Sequence, residues 1–455
     1  MAVSITEFPN AHIKLLYFVT ALGYVSRKAL TPVAGNPAAL SRGVDFLLSH
    51  HYIKEATATE TIHGGPNRSV VYYQPTQLGI NYLASQAERL PAEAQWVHAL
   101  SAQTKQRRLT KDSRISGRER MARYLQISAS ASFAAVAGCN IKSITLKRLD
   151  SDETQTAATG GGERRTCEAG GGNTVKGKTC EAEGCEAGDN DTAKPQGTDL
   201  LSVIREITYH DTDLEQKGNG TIMNPGADVL YIDAYQVKDR LRKQGVSMPV
   251  LRVGRYAGIV ESPLKSVLLY VGTRRGMGWS NQAVGSDAQA YQAYNDLVSR
   301  HHSTRRGEWH GALLVENAKM FEDIYQDKMG KRGKGEVFAK GFLSMQVFPM
   351  TREGALLFEK YLTVDTSELQ AEFVEAAVAS GFYQKNLDGD SRQFPLVNFE
   401  GVRMAVGLFI DAVQIRKLVK IHERDKKPMG IVCYAWQQDY YRRVIPDGTL
   451  FMTVS

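Results

Sequence analysis

The hydrophobic pattern of the N-terminal part predicts a series of short helices and one hairpin. Apolar residues recur at helical spacing over residues 11–22. Ser26 and then Asn36, which precedes a proline, are residues that cap and start helices. Two β-type runs around the turn at residues 64–67 predict a hairpin, and another short helix follows. Helix, helix, helix, hairpin, helix is the order of a winged helix-turn-helix, which we expect over residues 1–86.

Such a domain binds DNA because its third helix fits the major groove, while the hairpin reaches along the backbone or into the minor groove. By this pattern Ser41 and Arg42 face bases or phosphates, and Arg27 and Lys28 meet the backbone from the second helix. Arg68 extends the hairpin. The same fold also serves as a protein–protein module, and that interpretation stays open.

A strongly basic run follows this domain. Residues 105–123 hold eight Lys or Arg against two Asp or Glu, and a helical pattern continues from the run. The run either adds phosphate contacts that make binding salt-dependent or is a solvated linker. We expect residues 87–150 to form a basic helical connector and the start of a second domain. The position of the basic run, just after the expected winged helix-turn-helix, favours contacts with DNA. The candidate contacts are Arg107, Arg108, Lys111, Arg114 and Arg118.

Residues 151–198 contain one large apolar residue, Val175. Because so little apolar surface cannot offset the entropy of ordering, we predict a disordered insert within one domain, with a tether between two domains as the alternative. Residues 172–179 match the phosphate-loop pattern G-x-x-x-x-G-K-[ST], but no strand pattern precedes them and no helical pattern follows. The cysteines of this segment lack a fourth zinc ligand. We therefore expect no cofactor and no metal here; these cysteines are Cys167, Cys180 and Cys185.

Strand and helix patterns alternate over residues 199–455, which predicts an α/β layered domain with a mixed sheet. Two β-type runs predict a hairpin around Pro263-Leu264, and "VRMAVGLFI" near the C-terminus predicts a strand. The expected fold class of the whole chain is thus α/β with an N-terminal all-α-plus-hairpin winged helix-turn-helix.

One enzymatic interpretation of the α/β domain is a metal-dependent nuclease. Asp228, Asp233 and Glu261 with Lys265 are the residue types that hold a divalent cation and face a phosphate in such enzymes. The three residues between Glu261 and Lys265 differ from the single residue that puts an acid and a lysine on one strand face. Structural roles for these acids are the alternative.

A tyrosine nucleophile is the second enzymatic interpretation. Tyr440 and Tyr441 lie beside two arginines, but none of the ten histidines forms the His-apolar-His pattern that a strand-nicking tyrosine requires. We therefore assign no catalytic residue. In the loop "YVGTRRGMGWS", two arginines and Trp279 offer a further nucleic-acid contact.

Composition and charge narrow the class of protein. The chain is 42% hydrophobic and carries a net charge of +7, with 18 Lys or Arg against nine Asp or Glu in residues 1–150. That balance suits a protein that meets phosphate backbones. No long apolar stretch and no signal-like start are present, so we expect a cytoplasmic protein with no membrane partner. Of five cysteines, Cys139 and Cys433 stand in apolar contexts and are expected to be buried.

The order of these parts resembles the replication-relaxation proteins of plasmids and integrative elements. The similarity rests on "YYQPTQLGINYL", on "RERMARYL" and on "GRYAGIVESPLKSVLLYVGTRRGMGWS". It implies a sequence-specific double-stranded DNA-binding protein of a mobile element, acting in replication, transfer or regulation with other proteins of the element. The sequence departs from the nuclease-like acid and lysine set, which favours a protein without catalysis. A metal-dependent nicking enzyme and a ligand-sensing regulator are the alternatives.

Overall fold

The chain divides into two units, Met1–Lys147 with Ile222–Ser455 and Arg148–Thr221. All elements named below belong to the first unit. The predicted insert, with its phosphate-loop match and its cysteines, lies outside the described residues. The computed structural model describes residues 5–60, 68–92, 94, 97, 118–141, 229–243, 256–272, 310–326, 342–379, 383–384, 396–399, 402–425 and 429–454.

Four helices and three short strands form the N-terminal part. The strands make one antiparallel sheet in the order β1-β3-β2, in which Ile53 pairs with Pro75 and Glu60 with Arg68. The elements are α1 (Ala11–Leu22), β1 (Val25–Ser26), α2 (Arg27–Ala34), α3 (Pro37–Ser49), β2 (Ile53–Glu60), β3 (Arg68–Pro75) and α4 (Gln77–Ser85).

The two predicted helix caps differ in outcome. Asn36 Oδ1 accepts a hydrogen bond from the Ala39 amide at 2.8 Å, so the prediction of a cap before α3 is confirmed. Ser26 precedes α2, but its hydroxyl makes no capping bond. It is also the last residue of β1, paired with Tyr72, and its side chain is 1% exposed. Ser26 therefore stands at the N-cap position of α2, as predicted, but its buried hydroxyl does not make the capping bond.

A central helix, α5 (Arg118–Val136), joins the N-terminal part to the α/β part. Every residue from Ile127 to Ala137 is buried, because α2 and β2 pack on this helix as well as the sheet described next. The Ser132 hydroxyl donates to the Ala29 carbonyl of α2 at 2.5 Å. The small residues of α5 let its neighbours approach it on every side.

Seven strands form the larger sheet of the α/β part, in the order β13-β9-β8-β7-β6-β5-β4. β7, β8 and β9 are parallel, as are β4 and β5, and the other pairs are antiparallel. The chain leaves this sheet after β4 and returns to it at β5. The strands are β4 (Asn140–Ile141), β5 (Leu230–Asp233), β6 (Gly258–Glu261), β7 (Ser266–Val271), β8 (His310–Val315), β9 (Ser344–Pro349) and β13 (Ile410–Asp411).

Six helices accompany this part among the residues that the structure describes. One of them, α9, was not predicted from the sequence. On one face of the sheet, Phe358 of α8 contacts Phe133 of α5, with ring centroids 5.6 Å apart, and Phe348 of β9 at 5.0 Å. The helices are α6 (Ala234–Lys243), α7 (Ala318–Tyr325), α8 (Arg352–Thr363), α9 (Thr366–Ala379), α10 (Ala412–Asp425) and α11 (Gln438–Arg442).

A second, five-stranded sheet has the order β10-β11-β12-β14-β15 and combines antiparallel with parallel pairs. The stretch predicted as one strand is divided between β12 here and β13 of the larger sheet. Tyr441 and Gln437 hold the intervening backbone, because their side chains donate to the carbonyls of Phe409 at 2.9 Å and Leu408 at 2.7 Å. The strands are β10 (Tyr383–Gln384), β11 (Leu396–Phe399), β12 (Val402–Val406), β14 (Met429–Tyr434) and β15 (Leu450–Val454).

The mixed α/β class with a mixed sheet in the C-terminal part is confirmed. The hairpin predicted around Pro263-Leu264 is present as the antiparallel pair β6–β7. Cys139 and Cys433 are buried as predicted, and burial raises the pKa of the Cys433 thiol to about 12.

Candidate nucleic-acid interface

Helix α3 has one buried face and one exposed face. Leu40, Val44 and Leu47 are buried, while Arg42 and Asp45 are exposed. This division follows the 3.6-residue period of an amphipathic helix. The exposed face therefore carries one positive and one negative side chain.

Helices α1 and α3 cross in close contact at Gly43. A Cβ atom added at Gly43 would clash with Leu15 Cδ1. Glycine lets the two backbones approach, and the crossing fixes which side of α3 faces outward.

A stack of rings anchors the C-terminal end of α3. Phe46 lies between His12 and His50, with centroids 4.1 Å away on each side, and Tyr52 stacks on Tyr82 at 4.5 Å. His50 Nδ1 lies 2.9 Å from the Phe46 carbonyl oxygen, which only accepts, so Nδ1 carries the proton. These contacts tie α3 to α1 and to the start of β2.

Arg27 and Ser41, both predicted to contact DNA, are joined to each other. Arg27 Nη2 donates to Ser41 Oγ at 2.6 Å, and Ser41 Oγ donates to the Pro37 carbonyl at 3.0 Å. Burial raises the pKa of the Tyr73 phenol, and a hydrogen bond with Arg27 offsets part of that rise. Arg27 therefore links α2, α3 and β3.

Lys28, predicted to meet the DNA backbone, faces the α/β part. Its Nζ lies 3.6 Å from Glu316 Oε1, just after β8, and the two side chains are 19% and 27% exposed. A partly exposed pair of this kind contributes about 0–1 kcal/mol. Lys28 also lines a shallow cleft with residues of β2, β3 and α5.

For the other residues predicted to contact DNA, the structure describes the side chain of some and not of others. Among the described residues, exposed Arg42 forms no hydrogen bond or ion pair. Arg68 begins β3 opposite Glu60, and Arg118 begins α5, but their side chains lie outside the described part. The loop at 273–280, with its two arginines and Trp279, is likewise outside the described residues, as are Arg107, Arg108, Lys111 and Arg114.

Sequence reasoning missed a cation beside the turn between α2 and α3. Arg352 begins α8, and a Cβ atom added at Gly35 would lie 3.9 Å from its Cδ and 4.0 Å from its Nη1. No local signal marks Arg352, because only the packing of α8 against α2 brings it to this turn.

The two described acids considered for a nuclease site, Asp233 and Glu261, do not lie close to each other. Asp233 Oδ1 accepts from two backbone amides of α6 at 2.8 and 3.0 Å, so this residue caps a helix. In the β5–β6 pair Asp233 lies opposite Gly258, and Glu261 lies opposite Leu230. The two acids are therefore three residues apart along the strands, about 10 Å, and on opposite faces. Asp228 lies outside the described residues.

Lys265 lies at the amino ends of the parallel strands, away from Asp233. Its Nζ donates to Thr366 Oγ1 at 2.8 Å and lies 4.0 Å from the centre of the Tyr361 ring. Burial lowers the pKa of this amine to about 8. Beside it, His310 Nδ1 lies 2.8 Å from Ser344 Oγ, and burial followed by the charge of Lys265 lowers the histidine pKa to about 4. These contacts fasten the β6–β7 turn to the start of α9.

The tyrosines considered as nucleophiles are core residues. Tyr441 is 2% exposed and its hydroxyl donates to backbone carbonyls, while Tyr440 is 7% exposed. Burial raises the pKa of the Tyr441 phenol well above its usual value. Neither hydroxyl is placed to attack a phosphate.

In the described part of the chain, no three His, Cys, Asp or Glu side chains come together as ligands for a metal ion. No described helix combines the length and the apolar character needed to cross a membrane.

Comparison with known proteins yields no match to a family model, to a curated protein or to a solved structure. The function of this chain is therefore inferred from its own residues.

Proposed function

We propose that residues 1–86 form a winged helix-turn-helix domain that binds double-stranded DNA through α3. The observation that carries this proposal is the exposed face of α3, with Arg42 outward, on a helix whose other face packs on α1. The thirteen residues of α3 make a helix about 20 Å long, and an α-helix with its side chains is about 10–12 Å across, which matches a major groove about 12 Å wide. The hairpin β2–β3 then lies beside the helix as a wing.

The proposed roles follow the position of each side chain. Arg42 reaches a base edge or a phosphate, since it is exposed and has no partner in the described part of the chain. Arg27 orients α3 through Ser41 and presents the rest of its guanidinium to the backbone. The basic run at 105–117 adds phosphate contacts.

The resemblance to replication-relaxation proteins places this binding activity, as part of the proposal, in a mobile genetic element. The protein would act there in replication, transfer or regulation, with other proteins of the element. We propose no catalytic step, because Asp233 caps a helix and lies away from Glu261, and the Tyr441 hydroxyl is buried in the core.

The test uses the full chain and duplexes selected by it from a random pool. Arg42→Ala is expected to weaken binding of the selected duplex roughly tenfold and to relax sequence preference at one position. Lys420→Ala, which removes an exposed charge from α10, is the control and is expected to bind as the wild type does. Fluorescence anisotropy gives both dissociation constants.

Two outcomes would contradict the proposal. Failure of the wild-type chain to enrich any duplex would remove DNA as the partner. Equal affinity of the Arg42→Ala variant and the wild type would favour the protein–protein interpretation of this domain.

A further inference from the structure

The exposed side of α3 carries two charged side chains that can read a base. Four exposed residues are spaced by four, three and four positions, so they form one stripe along the helix: Ala38, Arg42, Asp45 and Ser49. The Ser49 hydroxyl already donates to the Phe46 carbonyl at 2.9 Å, and Ala38 has no polar side-chain group. Of this stripe, Arg42 and Asp45 therefore remain available to a partner.

Arg42 and Asp45 do not neutralise each other. Opposite charges three residues apart on a helix can form an ion pair. In the described part of the chain, however, neither side chain forms an ion pair or a hydrogen bond. Both charged groups are therefore open to a ligand on this side of the helix.

The packing of α3 fixes the direction in which the stripe points. Leu15 of α1 occupies the space beside Gly43, on the buried side of the helix. At the C-terminal end of α3, the Phe46 ring lies between two histidine rings. Contacts on the buried side thus orient the exposed side before any ligand binds, which lowers the cost of binding.

A carboxylate on a helix that faces DNA is selective, because most of the duplex repels it. Phosphates are negative, and an ionised carboxylate can only accept hydrogen bonds. The donors in the major groove are the amino groups at cytosine N4 and adenine N6. Adenine also presents the acceptor N7 beside N6, whereas cytosine presents a donor alone. Cytosine is therefore the base that suits Asp45 best.

We propose that Asp45 accepts a hydrogen bond from N4 of a cytosine next to the base pair that Arg42 contacts. The inference rests on the proposed function, since it needs α3 in the major groove, and it adds the identity of a base in the site. Three residues of an α-helix rise about 4.5 Å, close to the roughly 3.4 Å between successive base pairs. Two side chains at this spacing reach neighbouring base pairs, and Arg42 suits a guanine there.

The experiment selects duplexes from a random pool with the full chain and with its variants, and compares the base preference at each position. Asp45→Asn is expected to change the preferred base at one position from cytosine to adenine, because an amide pairs with both N6 and N7 of adenine. Asp45→Ala is expected to lose a preference for cytosine of roughly tenfold at that position. The affected position is expected to adjoin the one that Arg42→Ala relaxes.

A second measurement separates base reading from a structural role. On a duplex without the selected site, Asp45→Ala is expected to bind at least as tightly as the wild type, because the variant lacks the carboxylate that phosphates repel. Asp447→Asn, a change at an exposed acid outside the N-terminal part, is the control and is expected to keep the wild-type preference and affinity. Because Asp45 is exposed, its variants are expected to keep the wild-type thermal unfolding midpoint.

Unchanged base preference in both Asp45→Asn and Asp45→Ala would overturn the inference, even if both variants bind every duplex more tightly. A wild-type site without cytosine beside the position that Arg42→Ala relaxes would also overturn it. If Arg42→Ala still relaxes one position in these cases, the proposed function survives without this contact. If the wild type enriches no duplex, the proposed function itself fails.

Discussion

Asp411 shows how a single buried acid can connect two parts of a fold. Its carboxylate is 2% exposed and accepts from the amides of Met345, Val413 and Gln414 and from the Gln346 side chain. It therefore caps α10 and joins β13 to β9. Burial raises the pKa of this carboxyl to about 6, although the backbone hydrogen bonds oppose the rise.

The raised pKa predicts a pH dependence of stability. Between about pH 4 and pH 6 the folded state holds a proton that the unfolded state has lost, so this group's contribution falls as pH rises through 6. Asp411→Asn keeps an acceptor for the amides and stays neutral. We expect the free energy of unfolding of the variant to rise by about 3 kcal/mol relative to that of the wild type on going from about pH 4 to about pH 7. Thermal unfolding at the two pH values measures this gain.

The control for this prediction is Asp447→Asn, a change at an exposed acid, which is expected to show no such gain. Asp411→Ala should be destabilised at both pH values, because it leaves buried amides without an acceptor. A constant difference between Asp411→Asn and the wild type across pH would show that the folded carboxyl titrates normally.

At the scale of elements, α5 differs most from its expected role. The sequence predicted a basic connector. The basic run does precede most of the helix in the chain, but residues 127–137 of the helix are all buried. Ser130 Oγ lies 2.6 Å from the Tyr231 hydroxyl of β5, and Ser132 bonds to α2. Serine and alanine, which look like weakly amphipathic surface residues in a sequence, are here the residues that permit close packing.

This packing makes α5 intolerant of large side chains. Ser130→Leu adds volume at a fully buried position and leaves the Tyr231 hydroxyl with one partner fewer. We expect a loss of about 3 kcal/mol or more in the free energy of unfolding, from overpacking together with the lost hydrogen bond. Gln126→Leu, at a half-buried position of the same helix, is expected to change it by less than about 1 kcal/mol.

Denaturant unfolding of both variants checks the prediction. Similar stabilities for Ser130→Leu and Gln126→Leu would mean that α5 packs more loosely than its contacts indicate.

For the whole molecule, the N-terminal part and the α/β part share a core. The Tyr124 hydroxyl of α5 donates to the Leu22 carbonyl at 2.8 Å, and the Tyr124 ring lies edge-on to Tyr24 at 5.5 Å. A DNA-binding domain on a free tether would lack such contacts. We therefore expect the proposed DNA binding at α3 to affect the larger sheet, on which α5 and α8 pack.

A fragment of residues 1–86 tests this dependence. Without α5 it exposes Tyr24, Leu22 and Ala29, which are at most 4% exposed in the chain. We expect the fragment to unfold at a lower temperature than the full chain, measured by the loss of helical circular dichroism. An equal midpoint would show that residues 1–86 fold independently.

Several elements could be predicted because their signals are local. The asparagine before Pro37 starts α3 through a bond to an amide three residues away, and the hairpin β6–β7 forms at Pro263-Leu264. Ser26 stands at the N-cap of α2 as expected, but it makes no side-chain capping bond, because its hydroxyl is buried in β1, a tertiary constraint. Of the candidate interface, Arg42 was predicted from helical period alone, whereas Arg352 was not.

By itself, the sequence determined most of the described helices, the two hairpins, the exposed face of α3 and the α/β class, since these depend on residues a few positions apart. The tertiary structure alone decided the strand order, the burial of α5, the separation of Asp233 from Glu261, and the approach of Arg352 to Gly35. Those features depend on packing between segments that are far apart in the sequence. The energy of such packing depends on how two surfaces fit together, and no local sequence pattern encodes that fit.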